Sequence, residues 1–306
     1  MAEQSMNYGG ATALSQAKPN RPRFLVLPLV YCILVPWAVF AMVLWVRSFR
    51  LRFSHPEIAF TVEVVIWILA LCLQFLALGR QARRLRGEAV DASWLNFVAA
   101  SVLLWLAVAT MLGEYNYKAN MEPYYDIAAL QTYVDIDPVN ARGENLMDAG
   151  RMVFTKASYL DLKHSMGYMD SETWCVAPVV TRDLDQNSTQ LVADFWAIGK
   201  NCCAGSKGGD FKCGSWSSHI AHGGLRLLND AELSNYRLAV HQAASAFHIQ
   251  VHHPIFLYWM PEPIEEVDAY SRSGHRLFHC AVQTTFWIQA SLVFLAVFFI
   301  SKLAQF

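Results

Sequence analysis

Four cysteines carry the clearest chemistry in this sequence: Cys175, the vicinal pair Cys202 and Cys203, and Cys213 followed by Gly214. Thiols this close together, beside the glycosylation triplet Asn187-Ser188-Thr189, read as a disulfide framework in an oxidising compartment. Four thiols allow three pairings. A bond between adjacent cysteines closes a strained ring, so Cys202 and Cys203 are expected to reach separately to Cys175 and Cys213, in either combination. A zinc centre or a redox dithiol would call for C-x-x-C spacing, which does not occur. Cys32, Cys72 and Cys280 fall in or beside apolar segments and read as free, small apolar groups.

Two other sets of residues can do chemistry. Nine of the ten histidines lie between residues 114 and 279, among them His219, His222, His241, His248, His252 and His253. An enzyme reading would bring His219, His222 and His252 onto a metal, yet no H-E-x-x-H or His-plus-carboxylate spacing supports it. Glu63 is the acidic residue set well inside an apolar segment, where a carboxylate must be neutral, paired or part of an ion path. Arg47 to Arg52 lie within its reach. Gln74, Asn96, Gln283 and Gln289 read as hydrogen-bonding groups between helices. G-x-S-x-G, Walker and G-x-G-x-x-G motifs do not occur, and Asp135, Asp137, Asp183 and Asp185 lack EF-hand spacing, so no catalytic residue, metal or cofactor is expected.

The elements that position these residues begin with the bilayer. The chain has 306 residues, 55% of them hydrophobic and 16% charged, which is too oily for an ordinary soluble domain. A formal net charge of -1 gives no basic excess for nucleic acid. Residues 1–23 form a basic tail. Apolar runs of spanning length follow at 24–46, 58–79, 94–113 and 280–301. Pro36 predicts a kink in the first. The loop 80–93 carries Arg80, Arg83, Arg84 and Arg86, so it is expected in the cytoplasm, and both termini with it. The loop 47–57 then lies outside, although Arg47, Arg50 and Arg52 run against that rule. Residues 114–279 form the large extracytoplasmic domain, and 302–306 the inner C-terminus.

That domain reads as mixed α/β, giving a fold class of four transmembrane helices plus a disulfide-stapled outer domain. Strand-like composition marks 152–163, 173–180, 191–198 and 225–228, and 255–260 is an apolar run between prolines. A helical stripe marks 230–248, with Asn229 or Asp230 as its cap. Residues 183–188 and 200–209 read as loops.

Four spans, inner termini, a small first outer loop and a large second one bearing Cys202-Cys203-Ala204-Gly205 resemble the tetraspanins in layout. That resemblance implies an organiser of other membrane proteins. The core D-F-W-A-I-G-K-N-C-C at 194–203, with W-C-V-A-P at 174–178 before it and F-K-C-G at 211–214 after it, is similar to multi-span membrane proteins of unicellular algae and related protists. This second likeness implies no particular activity. The expected function is an interaction scaffold or accessory subunit, a homo- or hetero-oligomer in contact with the lipid bilayer and other membrane proteins. The alternative is a transporter or channel subunit using Glu63.

Overall fold

The computed structural model describes residues 26–86, 93–182, 191–204 and 209–303. Asn187 and the turn around it lie outside the described residues, as do Asp183 and Asp185.

Four helices are long and apolar enough to cross a membrane. Helix α1 (Val26–Ser48) meets no charge before Arg47 and continues through Pro36. A short helix α2 (Arg50–Ser54) turns the chain into α3 (Pro56–Leu85), whose first turn holds Pro56 and Glu57, residues suited to a helix N-terminus. Helix α3 runs on past Gly79, so Arg80, Arg83 and Arg84 stand on its last turns rather than in a loop. Helix α4 (Ser93–Asn116) passes through a π-helical turn (Tyr117–Met121) into α5 (Glu122–Ala128). The last helix, labelled α7 by chain order, runs Pro263–Leu303 and starts far ahead of the span expected near Cys280. Both extensions carry charged residues, which a search for apolar length alone stops at.

Packing centres on the α1–α4 pair, with α3 mainly against α4 and α7 mainly against α1, and lighter contacts between α1 and α3 and between α4 and α7. Between α1 and α4, Phe40 meets Trp105 edge to face at 5.7 Å. Between α1 and α7, the Trp37 indole N–H donates to the Val282 carbonyl at 3.0 Å. Helix α3, at one flank, leaves Phe60, Leu69, Phe75 and Leu76 exposed.

Residues 131–260 hold an eight-stranded mixed sheet: β1 (Gln131–Ile136), β2 (Ala149–Phe154), β3 (Ser158–Leu160), β4 (Met166–Met169), β5 (Thr173–Thr181), β6 (Phe195–Lys200), β7 (Gly223–Arg226) and β8 (Ile255–Met260). The order is β1-β2-β7-β8-β6-β5-β3, with β4 also on β5. The β1/β2 and β6/β8 pairs are parallel and the rest antiparallel.

Successive strand residues point to opposite faces, and both faces are buried. Trp174, Val176, Trp196, Ile198 and Phe256 pack under helix α6 (Asp230–Phe247), against Tyr236, Ala239, Val240 and Ala243. Cys175, Ala177, Phe195, Ala197, Leu257 and Trp259 form the opposite core, covered by loops. As the sequence suggests, Asn229 caps α6, its side chain accepting from Ala231 N–H at 3.1 Å.

Candidate functional site

Cysteine chemistry resolves into two bridges, Cys175–Cys203 and Cys202–Cys213. Strand β5 places Cys175 on the loop-covered face, opposite Gly199 of β6. Gly199 has no room for a side chain: a Cβ there would stand 2.5 Å from Cys213 Sγ and 2.6 Å from Cys202 Sγ. The sulfurs of Cys175, Cys202 and Cys213 lie within 4.8 Å of one another, and each is committed to a bridge. Their role is to tie the covering loop to the sheet.

Among the described residues, His219, His222 and His252 do not converge on a common point. His222 Nδ1 lies 3.1 Å from the Ser158 carbonyl, a local hydrogen bond. His252 and His253 hold their loop through their backbone, and their rings face carboxylates, His252 Nδ1 lying 3.9 Å from Asp194 Oδ1 and His253 Nε2 3.7 Å from Glu144. Buried Asp194, just ahead of β6, accepts from the N–H groups of His252 (2.9 Å), His253 (3.3 Å) and Gly143 (3.1 Å). This carboxylate holds two loops together. Asp137 likewise serves its own turn, accepting from Val139 N–H and the Asn140 amide.

Glu63 belongs to an ionic node where the helices meet the α/β domain. Arg47 of α1 donates through Nη1 to Glu63 and through Nη2 to Glu114 of α4, the latter at 2.7 Å. Arg52 of α2 donates to the same Glu114 at 2.5 Å and lies over the Tyr117 ring, 4.4 Å from its centre. Lys118 Nζ is 3.2 Å from the other Glu114 oxygen. Gly113 makes the close approach of α1 and α4 here; a Cβ on it would meet Arg47 Cβ at 2.6 Å. A pocket of about 140 Å³ opens beside the node, between Arg47, Arg52, Phe60 and Glu63. Sequence spacing points to Glu63 and the Arg47–Arg52 run but not to Glu114, which sits just past the third apolar segment.

Deeper among the helices, Gln289 of α7 is fully buried and joins α7 to α4 and α1. The Trp105 indole N–H donates to its oxygen at 2.8 Å, and its amide donates to the Cys32 carbonyl at 2.7 Å. Asn96 donates to Gln81 of α3 at 2.9 Å. The Gln74 side-chain oxygen is buried and has no hydrogen-bond partner among the described residues.

Between the sheet and the helix ends runs a groove of about 710 Å³ that no sequence pattern announces. Its floor is Leu225, Leu227 and Met260, and α5 lines one wall with Glu122, Asp126 and Ile127. Tyr270 of α7 and Tyr258 of β8 complete it. Beside Tyr258, Lys200 Nζ bonds Glu232 at 2.8 Å, lies 3.6 Å from Glu172, and stands 4.6 Å above the Trp174 ring. Burial, with Glu232 nearby, raises the Tyr258 hydroxyl above the usual tyrosine range, so it stays a neutral phenol. Residues from α5 are brought against β7, β8 and α7 from more than ninety positions further along the chain, so spacing carries no trace of the groove.

Compared with protein families, with curated proteins and with solved structures, the chain matches none.

Proposed function

We propose that this chain is an integral membrane interaction protein, an organiser or accessory subunit whose disulfide-tied α/β domain makes contacts on the extracytoplasmic side. The exposed apolar side of α3 carries the reading. Phe60, Leu69, Phe75 and Leu76 stand uncovered on it, and such a side is covered by lipid or by neighbouring membrane helices. Two bridges and an eight-stranded sheet give the domain a fixed surface, so partners are met without an ordering cost. The resemblance of the layout to that of tetraspanins is in keeping with this reading, as are the arginines at the end of α3, which favour a cytoplasmic position for that end.

The transporter alternative rests on Glu63, and Glu63 is held by Arg47. Carrying a proton or ion would require breaking that pair in each cycle.

Cross-linking in the native membrane, followed by native-gel migration in mild detergent, tests the proposal. A species larger than the 34.5 kDa chain is expected, either self-associated or bearing a co-purifying membrane protein. A lone monomer in both experiments overturns it.

A further inference from the structure

We propose that the groove between α5, α7 and the β7/β8 face is a binding site for a small organic ammonium ion with an aliphatic or aromatic body. Its volume of about 710 Å³ falls in the range of small-molecule sites. Three features select the ligand. The first is the floor of Leu225, Leu227 and Met260, with Leu228 and Tyr258 left 39% and 40% exposed, an uncovered apolar surface suited to a hydrocarbon body.

The second is unbalanced charge. Glu122 and Asp126 stand one helical turn apart on α5, on the face that lines the groove, and neither forms an ion pair among the described residues. Lys200 is already paired with Glu232 and Glu172. Arg226 also lines the groove; it donates to the Met147 and Ala149 carbonyls, which hold its guanidinium in place without cancelling its charge. The lining therefore carries two carboxylates against one guanidinium, a net negative charge that favours a cation over an anion, while a neutral ligand leaves both carboxylates unpaired.

The third is the pair of rings, Tyr258 and Tyr270, lining the same groove from different elements. Aromatic faces attract organic cations. An inorganic cation would leave the apolar floor unused, and a flat macromolecular surface would not fill the groove.

The test uses the full chain in non-ionic detergent, titrated by calorimetry with 2-phenylethylammonium, with the neutral 3-phenylpropanol and with the anionic 3-phenylpropionate. Saturable binding of the ammonium is expected, roughly tenfold or more tighter than the alcohol, with the carboxylate the weakest of the three. Glu122→Gln with Asp126→Asn should remove the preference for the cation while leaving the melting temperature unchanged. Should the double variant fail to fold, each single variant and Tyr270→Leu take its place, each weakening the ammonium more than the alcohol. Equal binding of ammonium and alcohol, a preference that survives the charge-removing substitutions, or no saturable binding at millimolar ammonium overturns the proposal. So does saturable binding of an arginine-rich peptide in the absence of any ammonium binding. None of these results bears on whether the chain associates with other membrane proteins.

Discussion

Replacing Asp194 by alanine removes one side chain and leaves three backbone donors without their acceptor. The Oδ1 atom serves His252 and His253, and Oδ2 serves Gly143, at 2.9, 3.3 and 3.1 Å. A hydrogen bond to an ionised group contributes about 1.5–3 kcal/mol, and the longest of the three adds little of that. The His252 side chain is half exposed, so water reaches part of the vacated site. The expected loss is therefore roughly 3–5 kcal/mol rather than the full sum. At about 2–4 °C per kcal/mol for a chain segment of this size, the melting point falls by roughly 10 °C. Asp194→Asn should lose about half as much, because the amide keeps an acceptor on the side of the two histidines but turns its N–H₂ toward Gly143 N–H. Tryptophan fluorescence of the detergent-solubilised chain measures both, because Trp196 and Trp259 are buried in the same sheet. The loops also become accessible: backbone contact is so close that a Cβ on Gly143 would fall 2.0 Å from the His253 carbonyl oxygen, and limited proteolysis should move to residues 250–254. An alanine variant within about 1 kcal/mol of the parent, or an asparagine variant as damaged as alanine, refutes this account of the carboxylate.

Two further outcomes follow from the same kind of argument. Loop closure over the separations of 28 and 11 residues assigns about 3.6 kcal/mol to the Cys175–Cys203 bridge and about 2.8 to Cys202–Cys213, so paired serine substitutions should destabilise in that order in denaturant melts of the oxidised chain. Arg47→Met strands Glu63 and strips Glu114 of one partner, at a cost of roughly 3 kcal/mol, whereas Glu63→Gln leaves Arg47 an acceptor and its second carboxylate; thermal melts that rank the two the other way refute the node as described.

Much of the fold is written locally in the chain. The apolar runs locate the four long helices, and the cap at Asn229 locates α6, because each depends on residues near one another in sequence. Strand β1 escapes notice. Its Gln131-Thr-Tyr-Val-Asp-Ile pattern is half polar, it lies at the sheet edge, and Asp135 takes a left-handed conformation at φ 58° that breaks the alternation. The start of α7 and the whole of α5 also escape, since their charged turns leave the apolar register while keeping the helical one. Neither parallel pair is legible, because partners such as Phe195 and Ile255 meet only across intervening elements. For the sites, the vicinal strain argument narrows the cysteine pairings to two, and the choice between them depends on how the strands and loops pack, which spacing does not encode. The spacing of Glu63 from Arg47 announces half of the ionic node. The groove leaves no local signature, being assembled from α5, β7, β8 and α7.

Helix α7 holds 41 residues without interruption, a rod of roughly 62 Å, about twice the hydrocarbon thickness of a bilayer. At and beyond its midpoint it packs along α1, from Val282, which Trp37 bonds, to Gln289, which bonds the Cys32 carbonyl; its first turns pass beside the sheet, where Val267 packs with Leu225. A spanning helix answers a thinner bilayer by leaning over. In a rod of this length, a lean of about ten degrees swings the far end by roughly 10 Å. If α7 crosses a bilayer, a change of thickness would tilt its sheet-side end as well, because no break in the rod absorbs it.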